Sequence, residues 1–460
     1  MKWKTGDTIA AVSTPLGAGG VGMIRVSGAR AAEIVGALFR PSGRTGLAEA
    51  PSHRMLHGWI EDEGQGIDEV LVVHMKAPHS YTREDVVEVH GHGGTVAVSA
   101  ILDLICARGA RLAEAGEFTF RAFVNGRLDL TQAEAVPDLV RASSRLGLRV
   151  AANQLRGRLH DAIQDLRAGV AHAAALVNAS IDFPEEDVRF THHDDCTRRL
   201  ETVRDKLDTL LREAGRGRQI REGLGVAIVG KPNVGKSSLL NALLRENRAI
   251  VTELPGTTRD TLEERLELDG LGVRLIDTAG IRHTEDRVER EGIARSQAAL
   301  AEADLALVVV DASRPLDSED RALLAQTSPA RALIVANKQD LAARPGPIAA
   351  AELRDYEQVS LSALTGEGLK QLEARVREWV LRGEQPVWES AALTNARQRQ
   401  AAARARGAIA DALRTLEQGL GEELLAVDLS RVLDALGDIV GETTAEDLLD
   451  RIFAEFCIGK

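Results

Sequence analysis

The sequence predicts a multidomain protein: an α+β N-terminal domain, an all-α helical domain, and an α/β domain inserted into the helical one. Three observations predict it. Residues 1–126 alternate glycine-rich turns with short apolar runs, as strands and short helices do. From about Leu128 prolines nearly vanish, and Leu, Ala, Arg and Glu recur at helical spacing to about Arg218; the same composition returns from Pro386 to the end. Between these arms, from about 223 to 381, strand and helix patterns alternate. The economical arrangement is one helical domain, 127–222 and 382–460, interrupted at a loop by the segment 223–381, because exposed loops tolerate inserted domains. The alternative is two separate helical domains.

The elements follow in order. Ile9–Val12, Val21–Val26 and Val70–Val73 read as strands, and Ala31–Phe39 and Val96–Ala107 as helices. Pro184, within Ile181–Glu186, marks a break between two long helices.

Composition bounds the function. The chain has 460 residues, of which 44% are hydrophobic and 27% charged, which are globular proportions. Aromatics are only 3%, so the cores must rely on Leu, Val, Ile and Ala. With 57 Lys and Arg against 69 Asp and Glu, the net charge of −12 excludes a globally basic nucleic-acid coat but permits a local basic patch. Cys106, Cys196 and Cys457 are scattered and odd in number, which suits a reducing cytosol rather than a disulfide framework. The start, Met1 to Asp7, lacks the apolar stretch of a signal peptide. The most apolar run, Ala303–Ala312, contains Asp304 and is too short to span a bilayer. A cytoplasmic protein without membrane insertion is the expectation.

The clearest chemistry lies in the inserted segment. The apolar run Val226–Val229 leads into Gly230-Lys231-Pro232-Asn233-Val234-Gly235-Lys236-Ser237 and then a helical pattern, Ser238–Leu244. This is a phosphate-binding loop in its required strand–loop–helix context. Backbone N–H groups wrap phosphate oxygens, the helix N-terminus adds positive potential, Lys236 reaches the β- and γ-phosphates, and Ser237 holds Mg²⁺. Asn337-Lys338-Gln339-Asp340 follows the strand Ala332–Ala336, about 100 residues further on. A carboxylate at Asp340 accepts two hydrogen bonds from N1–H and the exocyclic amine of guanine; adenine would leave a buried Asp340 unsatisfied. Ser362-Ala363-Leu364 resembles the guanine-loop motif of GTPases. Asp277-Thr278-Ala279-Gly280 follows the strand Val273–Ile276; Asp277 would hold Mg²⁺ through water and the Gly280 N–H would sense the γ-phosphate. Pro255-Gly256-Thr257-Thr258-Arg259-Asp260 supplies a switch threonine, with Thr258 the better Mg²⁺ ligand. The candidate GTP contacts thus run from Asn233 through Val234, Gly235, Lys236, Ser237 and Ser238, to Thr252, Glu253, Leu254, Pro255, Gly256, Thr257 and Thr258, to Asp277, Thr278, Ala279 and Gly280, and to Asn337, Lys338, Asp340, Ser362, Ala363 and Leu364. Together they resemble the translation-factor-related class of P-loop GTPases.

Hydrolysis needs a device of its own. Ras-like enzymes orient water with a glutamine just after the DxxG glycine; that position here is Ile281. The Asn233 side-chain oxygen can ligate a monovalent cation beside the phosphates, with Thr252, Leu254 and Thr257 supplying further oxygens, and K⁺ there would take the electrostatic role of an arginine finger. The alternative is that Asn233 merely caps the loop. Glu289 follows the DxxG segment and can polarise water; the alternative is a solvated helix charge.

Further motifs extend beyond this segment. They are Gly19–Gly28, Tyr81–Gly94 with its Gly91-His92-Gly93-Gly94, Gly116-Glu117-Phe118-Thr119, Leu128–Ala135 (LDLTQAEA), the terminal Cys457-Ile458-Gly459-Lys460, and the Asn-containing phosphate loop with Gly256–Asp260 (GTTRD). In this combination and order the chain resembles the MnmE (TrmE) family of tRNA modification GTPases over essentially its full length. The resemblance implies an N-terminal dimerising domain that binds 5,10-methylene- or 5-formyl-tetrahydrofolate, a helical domain and an inserted G domain. It implies a homodimer that joins an FAD- and NADH-dependent MnmG (GidA) type partner in a heterotetramer. Together they would install a carboxymethylaminomethyl-type group on C5 of the wobble uridine of certain tRNAs, with folate carrying the one-carbon unit and K⁺ activating hydrolysis. The family's folate contacts fall on Arg25, Glu88, Arg127 and Lys460. A carboxylate such as Glu88 can accept the paired N–H donors of a pterin, and cations can hold carbonyls or the glutamyl tail. Arg127 stands where the family carries Lys, which keeps charge but changes donor geometry. The family's K⁺ ligands fall on Asn233, Thr252, Leu254 and Thr257, its Mg²⁺ ligands on Ser237 and Thr258, and its catalytic acid on Glu289. Cys457 matches a family cysteine linked to the modification reaction.

Other patterns are weaker. His79, His90 and His92 have no cysteine near them and sit among glycines, so no metal site is expected. Leu139–His160 is free of acidic residues and places Arg141, Arg145 and Arg149 at helical spacing, with Arg156 and Arg158 beyond; Arg397, Arg399, Arg404 and Arg406 form a second such run. Both read as solvated helix faces, with phosphate contact the alternative. Two rival functions are a ribosome-assembly GTPase, which would need neither the N-terminal motifs nor the terminal C-x-G-K, and a dimeric regulatory GTPase switch, which would have no reason to bind folate.

Overall fold

A computed structural model describes residues 6–15, 17–182, 193–247, 264–276, 297–341, 351–381, 391–442, 446–454, 456 and 458–459. The chain forms two compact units, one of Met1–Pro137, His160–Asp195 and Asp411–Lys460, the other of Asp138–Leu159 and Cys196–Ala410.

The first unit is built on a seven-stranded sheet of order β3-β4-β5-β6-β2-β1-β7. The strands are β1 (Ile9–Val12), β2 (Gly19–Ser27), β3 (Phe39–Pro41), β4 (Met55–Asp62), β5 (Gln65–Met75), β6 (Val86–Gly93) and β7 (Arg111–Leu112). Neighbours are antiparallel except β1 and β7. Side chains alternate across a strand. Ile24 and Val26 of β2, Val87 and Val89 of β6, and Val70 and Val72 of β5 therefore point to one face, where they pack on α1 (Ala31–Leu38) and α2 (Thr95–Ala107). Gly22 permits that approach, because a Cβ there would lie 2.3 Å from Val98 Cγ2. The same alternation turns Arg25 and Glu88 to the opposite face, directly across from each other in the β2–β6 register. The sequence anticipated β1, β2 and the middle of β5 but not β4 or β6, whose apolar residues are interrupted by Gly58 in one and by His90, Gly91 and His92 in the other.

Helix α3 (Glu117–Val124) closes this unit around aromatic contacts. Phe120 meets Phe453 edge-on at 5.4 Å, and Gly116 (φ 77°) lies so near the helix Glu446–Ala454 that a Cβ would be 2.5 Å from the Phe453 carbonyl. Arg121 is 1% exposed and donates to Asp7, Glu84 and Glu117. Buried cations persist only with such partners.

The second unit is a six-stranded sheet of order β13-β12-β11-β8-β10-β9. Its strands are β8 (Leu224–Val229), β9 (Glu264–Leu268), β10 (Leu271–Ile276), β11 (Leu305–Asp311), β12 (Ala332–Asn337) and β13 (Glu357–Ser360). All pairs are parallel except β9 with β10. Every residue of β8, β11 and β12 is buried, as expected of parallel strands covered on both faces. One face packs on Leu239, Leu240 and Leu243 of α8 (Lys236–Asn247) and on Leu372 and Val376 of the helix Leu369–Leu381. Strand β8 lies between β10 and β11, where the direction of chain progression reverses, and ligands of such sheets bind beyond the carboxyl ends of the strands at this point. Helix α5 (Arg145–Leu155) also packs here, with the Leu146 N–H donating to the Gly270 carbonyl at 2.9 Å.

Candidate nucleotide site and N-terminal ligand site

The phosphate loop leaves β8 at Gly230 (φ 157°), where a Cβ would lie 2.5 Å from the Val309 carbonyl, and enters α8 at Lys236. Gly235 (φ 98°) is pressed against Asn337, with only 2.2 Å between its would-be Cβ and Asn337 Nδ2. Asn233 takes the left-handed region as well (φ 63°), a conformation asparagine tolerates better than most residues. Val234 is fully buried and anchors the loop from beneath. Lys236 Nζ donates to the Gly230 carbonyl at 2.7 Å and the Lys231 carbonyl at 2.9 Å, and burial lowers its pKa.

The base-reading loops are tied directly to the phosphate loop. Asn337 ends β12, is 2% exposed, donates from Nδ2 to the Val234 carbonyl at 2.9 Å, and accepts at Oδ1 from the Ala363 N–H at 2.9 Å. One amide thus fixes the phosphate loop and the Ser362–Leu364 loop together. Lys338 (φ 66°) donates to the Asn233 carbonyl at 2.7 Å and to Asp311 Oδ2 at 2.8 Å. Burial would raise the Asp311 pKa, but the hydrogen bonds from Lys338 and Ser313 prevail and hold it down to about 2. Ser362 is fully buried and its Oγ accepts from the Thr365 N–H at 3.3 Å, so its hydroxyl shapes the loop, while Leu364 is 85% exposed.

Asp340 differs from the sequence expectation. It stands on the short turn Gln339–Leu341 with its residue exposed, not buried. The desolvation that penalises the wrong base must therefore come from the arriving base itself, which would cover the carboxylate. Ser237 and Ser238 sit in the first turn of α8. Thr252, Glu253, Leu254, Pro255, Gly256, Thr257, Thr258, Asp277, Thr278, Ala279, Gly280 and Glu289 lie outside the described residues, as do Cys457 and Lys460.

The first unit gathers a second set of residues. Arg25 Nε donates to Glu88 Oε1 at 2.9 Å, with the two side chains 15% and 16% exposed. His90 Nε2 lies 3.5 Å from the other Glu88 oxygen. The Arg25 guanidinium lies 5.3 Å from the centroid of the Tyr81 ring and 5.6 Å from that of Phe118; the Arg127 guanidinium lies 4.7 Å from the Tyr81 ring. Tyr81 is held by its hydroxyl, 2.9 Å from Thr119 Oγ1. The chain terminus joins the group: the Gly459 carbonyl accepts from Ser13 Oγ at 3.1 Å and from Arg25 at 3.4 Å. The structure thus brings Arg25 and Arg127 onto one aromatic ring, with Glu88 paired to Arg25, and sequence reasoning did not single out that ring. The available signal was scarcity, since Tyr81 is one of two tyrosines in the chain.

The other sequence candidates have local partners. His92 Nδ1 lies 2.6 Å from Asp68 Oδ1, and this contact raises its pKa. Arg145 pairs with Glu267 at 3.7 Å and Arg406 with Asp208 at 3.1 Å; Arg141, Arg149, Arg397 and Arg404 also engage other groups. Among the described residues no helix is long and apolar enough to cross a membrane.

A parallel-sheet core, a glycine-hinged phosphate loop at its switch point and an Asn-Lys-x-Asp turn tied to that loop define a P-loop GTP-binding protein, in a chain that also holds an α+β sheet unit. A family model described as the MnmE helical domain matches residues 130–457, and one described as the GTP-binding protein TrmE N-terminus matches residues 8–127. The chain is 50% identical to the tRNA modification GTPase MnmE of Moorella thermoacetica over 99% of both chains. It is 48% identical to the protein of that name from Symbiobacterium thermophilum and 46% identical to that from Geobacillus kaustophilus, again over 99% of each chain. The chain belongs to the tRNA modification GTPase MnmE family.

Proposed function

We propose that this protein is a K⁺-activated GTPase that works as a cytoplasmic homodimer with an FAD- and NADH-dependent MnmG-type partner to install a carboxymethylaminomethyl-type group on C5 of wobble uridines in tRNA. The observation that carries the GTPase part is the Asn337 amide, which binds the phosphate loop and the Ser362–Leu364 loop at once. Phosphate and base recognition are thereby set in one rigid frame, which favours binding because little ordering remains to be done.

The loop suits a nucleoside triphosphate with Mg²⁺. Its turns require glycine at 230 and 235, and its lysine is already drawn to the loop mouth. Ser237 and Thr258 would hold Mg²⁺; Asn233, with Thr252, Leu254 and Thr257, would hold K⁺; these ions would supply positive charge for the charge that develops on a transferred phosphoryl group. Glu289 would orient the attacking water.

The Arg25–Glu88–Arg127 group suits a folate by its donor set: a carboxylate for paired ring N–H groups, two guanidiniums for carbonyls or a glutamyl tail, and an aromatic face for stacking. Bound there, the folate would supply the one-carbon unit, with Lys460 as a further cation and Cys457 near the reaction. This division of labour takes domain limits of 1–126, 127–222, 223–381 and 382–460.

The test is nucleoside mass spectrometry of total tRNA from cells with the protein, without it, and with Glu289→Ala. The expected result is loss of 5-aminomethyl-type uridines without the protein and with the variant. An unchanged profile would remove the modification role and favour a ribosome-assembly GTPase. Equal GTP turnover in KCl and NaCl at matched ionic strength would remove the K⁺ role.

A further inference from the structure

The phosphate loop contains a second lysine, and its ammonium is held by two carboxylates outside the loop. Lys231 has a side chain only 8% exposed, and its Nζ bonds Asp320 Oδ2 at 2.7 Å and Asp317. Asp317 is the N-cap of the helix Ser318–Leu324: its Oδ1 accepts from the N–H groups of Glu319 and Asp320, each at 3.1 Å. Asp320, 4% exposed at its side chain, returns a bond by accepting from the Asp317 N–H at 3.2 Å. Two carboxylates so close repel, and the Lys231 ammonium offsets that repulsion. The Lys231 and Asp320 side chains are buried and that of Asp317 is half exposed, and a buried ammonium and carboxylate are tolerated only while they stay paired.

The backbone of the same residue belongs to the loop's own bonding. The Lys231 and Gly230 carbonyls receive the Lys236 ammonium. A second brace acts further along the loop, where Lys338 joins the Asn233 carbonyl to Asp311. Both braces therefore draw on one acidic segment, Asp311 to Asp320, and grip the loop at 231 and 233.

We propose that Lys231 is a positioning residue for nucleotide binding: clamped by Asp317 and Asp320, it fixes the 230–231 peptides that hold the Lys236 ammonium, so that the loop is formed before the nucleotide arrives. The inference rests on the nucleotide reading above. Without the clamp the nucleotide must itself order the first half of the loop, and affinity falls.

The experiment is titration of the full chain with fluorescent GDP and GTP analogues. Wild type comes first; failure of wild type to bind would overturn the nucleotide reading itself and the inference with it. Given binding, Lys231→Met is expected to weaken both nucleotides by roughly 10-fold, and Lys231→Arg to restore affinity to within about threefold because it keeps the charge and both partners. Asp317→Asn retains a good N-cap while removing charge, so it serves as a folded test should Lys231→Met not fold. Combined with Asp320→Asn it is expected to reproduce the loss, and adding Lys231→Met to that pair is expected to change little, as coupled residues require. Lys231→Met within twofold of wild type, additive losses in the combined variant, or a lowered melting temperature with unchanged affinity would each overturn the proposal.

Discussion

The two candidate sites are assembled in opposite ways. The nucleotide site grows from one unbroken stretch, Gly230 to Ser237, held in place by Asn337, the last residue of β12, and by Lys338 after it. The N-terminal site draws on β2, β6, the Tyr81 segment, the turn after α3 and the chain terminus, with 434 positions between Arg25 and Gly459. The first is made mostly of backbone groups whose positions glycines and one helix N-terminus dictate. The second is made of side chains whose meeting depends on strand register and on where the terminal helix packs. A backbone site should therefore be broken most severely by adding one carbon atom to a glycine, and a side-chain site should degrade in steps.

The largest effect is expected at Gly235. Alanine there combines a strained φ of 98° with a contact of 2.2 Å to Asn337 Nδ2. Relief requires moving Asn337, which breaks its bonds to both loops and leaves a buried amide unsatisfied. Strain and the unsatisfied group each cost about 1–3 kcal/mol, so GTP affinity should fall by roughly 100-fold or more. Ligand affinity at the N-terminal site should be unchanged. Equilibrium titration measures both, and a variant binding GTP within tenfold of wild type would show that the loop is more compliant than its geometry indicates.

Gly459 offers the matching test in the other unit. Its φ is 86°, and a Cβ would lie 2.3 Å from the Val12 carbonyl and 2.9 Å from Ser13 Cα. Alanine would unseat the carbonyl that Ser13 and Arg25 share, but Glu88 and Tyr81 would stay. The expected loss of tetrahydrofolate affinity is about 10-fold, of the order of one unsatisfied polar contact, with GTP binding intact. Isothermal titration with 5-formyl-tetrahydrofolate reads it directly. A loss confined to GTP binding would contradict the assignment of the terminus to this site.

This contrast also explains what the sequence made legible. A phosphate loop is a local motif, and its strand, loop and helix were readable in order because spacing alone determines the geometry. Asn337, Lys338 and Ser362 were readable because each stands in a short motif of its own, whereas their ties to the phosphate loop, 103 positions from Asn337 to Val234, were not. Lys231 was not, because its partners Asp317 and Asp320 lie 86 and 89 positions away and look like ordinary acids at a helix start. Asp340 lies on the turn after β12 but is exposed where a buried carboxylate was expected, since exposure of a turn depends on what surrounds it. In the N-terminal unit the individual residues Arg25, Glu88 and Arg127 came only through resemblance to a family. No spacing rule links them: Arg25 meets Glu88 only once β2 and β6 are paired, and the Tyr81 ring is shared by Arg25 and Arg127.

The smallest expected effect concerns Arg127, which stands where the family resemblance leads us to expect lysine. Its residue is exposed and its guanidinium stacks 4.7 Å from the Tyr81 centroid. An exposed cation–π contact is worth about 0.5–1 kcal/mol. Lysine keeps the charge and part of that attraction, while losing the planar stack. Arg127→Lys should therefore lower tetrahydrofolate affinity by about threefold or less, whereas Tyr81→Leu, which removes the platform from under both Arg25 and Arg127, should cost more than Arg127→Lys. If the two substitutions were made together, the loss should approach that of Tyr81→Leu alone, because the lysine would have no ring left to lose. Additive losses would mean that Arg127 acts on the ligand through its donor geometry and not through the ring. The site would then depend on hydrogen-bond direction as strictly as the phosphate loop depends on its backbone.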